Sequence, residues 1–182
     1  MRLKVASILI ASVALVSADG VRAQGISDNV VKIGVLPDMS GQFSHESGEG
    51  SVTAIKMAVD DFGGKVLGKP IEVVVADHQN KPDVGVSIAR NWYDNEKVDA
   101  ILDVPTSSVA LPISALTREK NKINLNSGGG SSDITGPACS PNTVHWTYDT
   151  YALSKVTASA VIAEGGKSWY FITADYAFGQ QL

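Results

Sequence analysis

Cysteine, histidine and basic residues are scarce in this sequence, and each shortage argues against a class of function. Cys139 is the only cysteine among 182 residues, so no disulfide can form within the chain. The three histidines, His45, His78 and His145, lie far apart and none has metal-ligand spacing. The 15 basic residues, against 19 acidic ones, give a net charge of −4 and form no basic block, which argues against a nucleic-acid partner.

Motifs for catalysis and for nucleotide binding are also missing. The sequence has no G-x-x-x-x-G-K-[ST] run for phosphate binding and no G-x-S-x-G turn for a nucleophilic serine. A dinucleotide-binding G-x-G-x-x-G pattern that began at Gly128 would need a third glycine where Asp133 stands. No nucleophile can be paired with an acid or base in one predicted cleft. The sequence therefore predicts a binding protein with no catalytic residues, no metal site and no cofactor.

Long hydrophobic runs are confined to the amino terminus. A basic start at residues 1–4 is followed by an apolar stretch at residues 5–16 and by small polar residues up to Gln24. This three-part layout predicts a secretory signal peptide over residues 1–23, cleaved near Ala23. A membrane anchor is the alternative, but the apolar stretch has about a dozen residues and a membrane-spanning helix needs roughly 20.

Apolar segments of two kinds alternate along the rest of the chain. Strands are predicted at residues 30–36, 71–76, 99–104, 123–126 and 169–173, and helical spacing of apolar residues fills the segments between them. This alternation predicts an α/β fold with a doubly wound, mainly parallel sheet. Residues 71–76 are almost continuously apolar, as expected for a strand covered on both faces. Pro112 predicts that the third helix starts late or kinks.

Small polar residues follow two of these strands. Thr106, Ser107 and Ser108 come after the third strand, and a glycine triplet at residues 128–130 follows the fourth. Ligands of open α/β sheets bind beyond the carboxyl ends of the strands, and hydroxyls at a helix start suit a small anion. Two alternatives remain: the hydroxyls only cap the helix, or the triplet only forms a tight turn that needs positive φ. The irregular segment 127–142 is itself long enough to indicate a function or a connection between domains.

The loop after the first strand supplies an aromatic ring, Phe43. If the first strand lies beside the third, as doubly wound sheets commonly arrange them, this loop flanks Ser107. Phe43 then either contacts an apolar part of a ligand or fills a hole beneath the loop. Both interpretations are open at this point.

Several stretches, in this order, resemble the leucine/isoleucine/valine-binding type of periplasmic binding protein. They are residues 31–41 (VKIGVLPDMSG), 58–64 (AVDDFGG), 82–89, 106–108 (TSS) and 126–135. The resemblance implies a type I fold of two α/β lobes around a ligand cleft, with lobe one at residues 24–145. Residues 146–182 would be the start of lobe two, which we expect to be truncated because the chain stops as a helix begins. It further implies a periplasmic protein that delivers a small solute to a membrane ABC permease.

The same resemblance implies a set of ligand-binding residues. Ser107 and Ser108 would hold a ligand carboxylate, and the backbone of Gly129 and Gly130 would contact its polar end. Phe43 and Ser44 would flank the side-chain pocket, Tyr148 would lie in the first crossing to lobe two, and Tyr176 would face the cleft from lobe two. Two departures affect specificity. Thr106 stands where amino-acid binders have a cysteine, and Gly129-Gly130 stand where they have a small residue followed by threonine. The run at residues 145–151 (HWTYDTY) is more similar to a branch associated with aromatic or other organic acids.

These observations favour one function and leave two alternatives. The main hypothesis is an exported solute-binding protein of an ABC importer for a small carboxylate-bearing compound, an amino acid or an aromatic or other organic acid. The first alternative is a ligand-sensing domain of a receptor or amide sensor, because such sensors share the implied fold. The second is an exported α/β hydrolase, which the absence of a recognisable triad disfavours.

Overall fold

The computed structural model describes residues 27–182, so the predicted signal peptide at residues 1–23 lies outside the described residues. Within that range, no helix has the length and apolar character that a membrane crossing requires. The described chain opens with a short 3-10 turn, Ser27–Asn29, and then enters the sheet.

A six-stranded sheet forms the centre of the described part of the chain. Its strands are β1 (Val31–Val35), β2 (Lys65–Val66), β3 (Lys69–Val75), β4 (Ala100–Leu102), β5 (Ile123–Asn126) and β6 (Thr143–His145). The spatial order is β2-β3-β1-β4-β5-β6. Every pairing is parallel except the β2–β3 hairpin, which is antiparallel. The predicted α/β fold with a mainly parallel, doubly wound sheet is confirmed.

Three of the described helices connect successive parallel strands, and two more follow the last strand. They are α1 (Gly48–Asp61), α2 (Pro82–Asp94), α3 (Ser107–Glu119), α4 (Thr150–Ala163) and α5 (Ala177–Gln181), with a 3-10 turn at Ser132–Ile134. The connection from β1 to β3 moves one way along the sheet, whereas those from β3 to β4 and from β4 to β5 move the other way. Because such crossovers are right-handed, α1 lies on one face and α2 and α3 lie together on the other.

The hydrophobic core lies between the sheet and the pair α2 and α3. Ile101 from β4, Trp92 from α2 and Ile113 from α3 are each at most 4% exposed. Gly34 in β1 makes room for the indole, since a Cβ there would stand 2.5 Å from Cζ3 of Trp92. The predicted apolar stripes of α2 and α3 therefore face the core, as expected from their spacing.

The opposite face of the sheet is covered less well than the sequence predicts. Helix α1 buries Val52 to 5% exposure, but the apolar Phe62 directly after it is 67% exposed. Val75 at the end of β3 is 36% exposed. The expectation that residues 71–76 are covered on both faces is wrong, because helix α1 packs against β1 and β3 without burying Val75.

Helix α3 is also different from the expectation. It runs without interruption from Ser107 through Pro112 to Glu119, so the late start predicted from the proline is wrong. Pro112 is the sixth residue of the helix, and the hydrogen bond that it cannot donate belongs to the carbonyl of Ser108 in the first turn. A proline so close to the start removes little of the helix ladder.

The strands in the structure differ from the predicted strands in two segments near the carboxyl terminus. Residues 169–173 do not form a strand, and the side chains of Tyr170 and Ile172 are 91% and 94% exposed. A strand needs a neighbour to exchange main-chain hydrogen bonds with, and no strand of the described sheet lies beside this segment. Conversely β6 was not predicted, because three residues carry too little periodicity; it forms by pairing with β5, with Val144 opposite Leu125. The predicted lobe boundary after residue 145 stays a prediction.

Candidate functional site

The carboxyl ends of β1, β4 and β5 meet at one edge of the sheet and enclose a cavity of about 460 Å³. Its lining includes polar groups from three loops and aromatic rings from residues 148–178, namely Phe43, Glu46, Ser47, Ser51, Asp103, Pro105, Ser107, Ser127, Gly128, Gly130, Tyr148, Tyr176 and Phe178. The two polar strand ends singled out in the sequence therefore lie side by side. The main-chain N–H of Ser131 donates to Ser107 Oγ at 3.0 Å, which joins them directly.

Ser107 sits at the amino terminus of α3, where main-chain N–H groups of the first helical turn have no partner within the helix. Its hydroxyl oxygen accepts the Ser131 N–H, so its own proton is available for another acceptor. The N-cap residue is Thr106, and its side chain makes no capping hydrogen bond. Capping alone therefore does not account for the hydroxyls at this helix start.

The glycine triplet lets neighbouring groups approach its backbone closely, and it does not adopt unusual backbone angles. Among the described residues, the glycines with positive φ do not include Gly128, Gly129 or Gly130. The interpretation that the triplet forms a tight turn with positive φ is therefore wrong. A Cβ on Gly128 would stand 2.7 Å from Pro105 Cα. On Gly130 it would stand 2.8 Å from Tyr148 Cε2. The missing side chains let the triplet lie against neighbouring groups and expose its backbone to the cavity.

Four aromatic rings form one wall of the cavity. Tyr176 contacts Phe43 edge-on at 6.3 Å between ring centroids and stacks on Phe178 at 6.0 Å. The Tyr148 hydroxyl donates to the Gly128 carbonyl at 3.2 Å. Burial, and secondarily the neighbouring Tyr148, raise the pKa of Tyr176, so its phenol stays neutral. Phe43 faces the cavity, and a flat apolar or aromatic solute would have ring faces to stack on.

Two carboxylates, one of them fully buried, hold the loop that carries Phe43. Asp38, which is fully buried, accepts the main-chain N–H groups of Gly41 at 2.7 Å and Phe43 at 2.9 Å. Asp77 accepts the N–H of Met39 at 2.9 Å. These bonds orient the ring of Phe43 toward the cavity, since they fix the backbone on both sides of it.

The sequence-predicted site residues do not all reach the cavity. Phe43, Ser107, Gly130, Tyr148 and Tyr176 line it. The three others, which the lining does not include, are Ser44, Ser108 and Gly129. The Gly129 N–H is already used, since it donates to Asn126 Oδ1 at 2.8 Å. Ligand contacts by any of the eight residues stay predictions.

Asp103 is a cavity residue that sequence reasoning missed. It follows β4 directly, is 7% exposed and has a φ of 54°. The hydroxyls of Ser47 and Ser127 donate to its carboxylate at 3.1 Å and 2.7 Å. The predicted strand extended through residue 104 and so concealed this residue. The signal that could have found it is an acidic residue where an apolar strand ends, because aspartate tolerates a left-handed backbone better than most side chains.

A second missed feature joins α5 to the glycine-rich loop. The Ser131 hydroxyl donates to Gln181 Oε1 at 2.5 Å, and the Ser132 hydroxyl lies 3.4 Å from the same oxygen. Together with the ring of Phe178 against Gly130, this contact brings residues 176–181 over the site. A single glutamine in a short helix carries no sequence signal for such a role.

The chemistry of the cavity is that of binding. Hydroxyls, main-chain amides, one buried carboxylate and aromatic faces line it, and no described histidine or cysteine does. His78 is fully buried beneath the site, accepts the Asn80 N–H on Nδ1 at 2.9 Å, and burial lowers its pKa. Within residues 27–182, no three histidine, cysteine or acidic side chains come together as a group that could hold a metal ion.

A larger cavity, of about 820 Å³, lies between α4 and residues 169–174. Its lining is mostly apolar and includes Ile162, Trp169 and Phe171. It shares only Phe178 with the first cavity. None of the polar strand ends reaches it, so the first cavity is the candidate site.

Comparison with known proteins places this geometry in context. The family described as periplasmic binding protein matches residues 30–182. A periplasmic binding protein from Burkholderia mallei is 52% identical, with a TM-score of 0.82 over 84% of this chain and 41% of its own. A branched chain amino acid ABC transporter periplasmic ligand-binding protein from Burkholderia xenovorans is 39% identical, with a TM-score of 0.73 over 82% of this chain and 40% of its own.

A third solved structure is a solute binding protein of an ABC transporter from Rhodopseudomonas palustris, in complex with 3,4-dihydroxy benzoic acid. It is 27% identical, with a TM-score of 0.77 over 85% of this chain and 42% of its own. No curated protein matches the sequence. The chain thus spans between 40% and 42% of the length of these three solved structures.

Proposed function

The chain belongs to the periplasmic binding protein family, and on that premise we propose that it is the solute-binding component of an ABC importer. Its solute is a small carboxylic acid, and the protein carries this solute without altering it. The proposed partner is a membrane ABC permease and the proposed location is the periplasm. The observation that carries the proposal is the cavity in which the Ser107 hydroxyl, the Gly130 backbone and the aromatic wall converge.

The polar end of the cavity suits a carboxylate. Ser107 has a free hydroxyl proton and lies at the start of the 13-residue helix α3, whose dipole favours negative charge at that end. In the part of the chain that the structure describes, the main-chain N–H groups of Gly128 and Gly130 donate to no protein acceptor. Hydroxyl and amide donors around one space are what an anionic oxygen requires in place of water.

The aromatic wall favours a flat or apolar remainder of the solute. Phe43, Tyr176 and Phe178 form a continuous set of rings beside the polar end. The Rhodopseudomonas palustris relative was solved with a dihydroxybenzoic acid, and the Burkholderia xenovorans relative is named for branched chain amino acids. We place this protein's solute among aromatic acids first and apolar amino acids second, because stacking on rings rewards a planar solute.

Titration calorimetry of the full-length protein with 3,4-dihydroxybenzoate, 4-hydroxybenzoate and leucine tests the proposal. We expect at least one acid to bind and to be recovered unchanged. The Ser107→Ala variant loses a hydrogen bond to a charged group, worth about 1.5–3 kcal/mol, so its Kd rises about 10- to 150-fold. Ser87→Ala, at an exposed position of α2, is the matched control and keeps the wild-type Kd. Failure of all acids to bind, or an unchanged Kd in Ser107→Ala, contradicts the proposal.

A further inference from the structure

We infer that Asp103 determines which acids this site accepts, by receiving a hydrogen-bond donor of the solute on its carboxylate. The inference rests on the proposed function and narrows it to a solute class. That class is carboxylic acids that also carry a hydroxyl or a protonated amine. Ser107 and the neighbouring amides would hold the acid group, and Asp103 would hold the donor.

The carboxylate of Asp103 is buried and has no positively charged partner among the described residues. Asp103 is 7% exposed, yet none of the ion pairs among the described residues includes it. A buried carboxylate is tolerated only when hydrogen bonds or an opposite charge compensate for its lost hydration. Two hydroxyls supply part of this compensation, from Ser47 and Ser127. Since a carboxylate accepts about four hydrogen bonds, acceptor capacity remains on the side that lines the cavity.

The ionisable groups near Asp103 do not provide a buried acceptor that faces the cavity. His78 lies close enough to interact with Asp103 electrostatically, but burial lowers its pKa and leaves it neutral. The carboxylate of Asp38 is used by the loop amides of Gly41 and Phe43 and does not line the cavity. Glu46 lines the cavity but is exposed, so water hydrates it. Asp103 is thus the buried acceptor that faces the space a solute would occupy.

Asp103 and Ser107 lie close enough for one small solute to contact both. Asp103 and Ser107 are four residues apart, so their backbones are separated by at most about 14 Å even in a fully extended chain. Both side chains line the same cavity. A benzoate-sized acid or a single amino acid can therefore contact both. A solute with a second carboxylate would instead meet the negative charge of Asp103 in a poorly hydrated space.

The test uses pairs of acids that differ only in the donor, with the full-length protein. Benzoate is paired with 4-hydroxybenzoate, and 4-methylpentanoate is paired with leucine, so the two arms separate a hydroxyl donor from a protonated amine. We expect the donor-bearing member of at least one pair to bind about tenfold or more tightly. In the isosteric Asp103→Asn variant this preference falls to about threefold or less, while the donor-free acid keeps its Kd within about twofold.

The controls separate recognition from folding. Asp60→Asn removes one negative charge from an exposed position of α1 and should leave the preference of each pair unchanged. Ser127→Ala removes one of the two hydroxyls that occupy the Asp103 carboxylate, so the preference should persist or grow. This second variant remains informative if Asp103→Asn does not fold.

Three outcomes overturn the inference. Equal weakening of both members of a pair in Asp103→Asn assigns the residue a structural role only, with the proposed function intact. If the wild-type protein binds donor-free and donor-bearing acids equally, Asp103 has no role in recognising the donor. If neither member of either pair binds, the proposed function itself fails, and the inference fails with it.

Discussion

At the scale of single residues, several glycines of this protein matter for their size. Gly34 lies in β1 under the indole of Trp92, and Gly130 lies under the rings of Tyr148 and Phe178. Neither has a positive φ. The physical requirement at both positions is space, since a ring already occupies the volume that a Cβ would take. The sequence pattern alone does not distinguish a glycine required for space from a glycine that forms a turn.

Gly34→Ala tests this requirement in the core. The new Cβ would stand 2.5 Å from Trp92 Cζ3 and 3.3 Å from Val98 Cγ1, and both neighbours are buried. We expect the free energy of unfolding to fall by about 1–3 kcal/mol, as for other overpacked cores. Gly50→Ala is the matched control, because no atom lies within 4 Å of its added Cβ in helix α1. Urea denaturation should show Gly50→Ala stabilised by about 0.5–1 kcal/mol, and equal behaviour of the two variants would contradict the size argument.

At the scale of elements, two helix starts show different uses of an N-cap. Asp149 caps α4 in the usual way, with its side chain accepting the Ala152 N–H at 2.7 Å. Thr106 holds the cap position of α3, but its buried hydroxyl has no partner within residues 27–182. At the start of α3 the N–H groups of Ser107 and Ser108 have no protein acceptor among the described residues, whereas those of Val109 and Ala110 donate to the Thr106 carbonyl. The start of α3 therefore lacks a stabilising capping bond at the place where a ligand is proposed to bind.

Replacing the two N-cap residues should give opposite results. Asp149→Ala removes a real capping bond and should lower the local stability of α4 by about 1 kcal/mol. Hydrogen exchange of the first-turn amides of α4 would then speed up about fivefold. Thr106→Val keeps the shape of the side chain and deletes a hydroxyl without a partner, so stability should be unchanged or slightly higher. A loss of more than about 1 kcal/mol in Thr106→Val would show that the hydroxyl is bonded.

At the scale of the whole molecule, the site is completed by residues far apart in the chain. Tyr176 reaches Phe43, and Gln181 reaches Ser131. These contacts join the segment after α4 to the loops at the edge of the sheet. In the two-lobe arrangement that the family resemblance implies, they would form only when the cleft is closed.

Gln181→Ala should therefore shift the balance between open and closed protein. Loss of the Ser131 hydrogen bond, worth about 0.5–1.5 kcal/mol, should weaken solute binding about 2- to 13-fold. Small-angle scattering of the full-length protein with saturating solute should show a smaller contraction than in the wild type. Gln180→Ala changes an exposed neighbour and serves as the control. Unchanged affinity and contraction in Gln181→Ala would mean that this bond does not contribute to closure.

Much of the sheet and of helices α1 to α3 could be predicted, because their signals are local. The spacing of Ile113 and Leu116 places one face of α3 in the core whatever the partner is, and both are buried. The β-branched residues of β1 likewise predict a strand without reference to residues distant in sequence. The adjacency of Ser107 and the glycine triplet followed from the general rule that ligands bind at the carboxyl ends of parallel strands, and the bond between Ser107 and Ser131 confirms it.

The rest of the fold and of the candidate site could not be predicted, because it depends on contacts with residues distant in sequence. Residues 169–173 have strand composition but no described neighbour to pair with, whereas the three residues of β6 pair because β5 presents a free edge. The roles of Asp103 and Gln181 come from the hydroxyls of Ser127 and Ser131, which the fold brings to them. The order of apolar and polar residues by itself determined the α/β class and the edge of the sheet where the candidate site lies. Only the tertiary structure decided which side chains meet there, because hydrogen bonds and burial between distant segments exist only once the chain has folded.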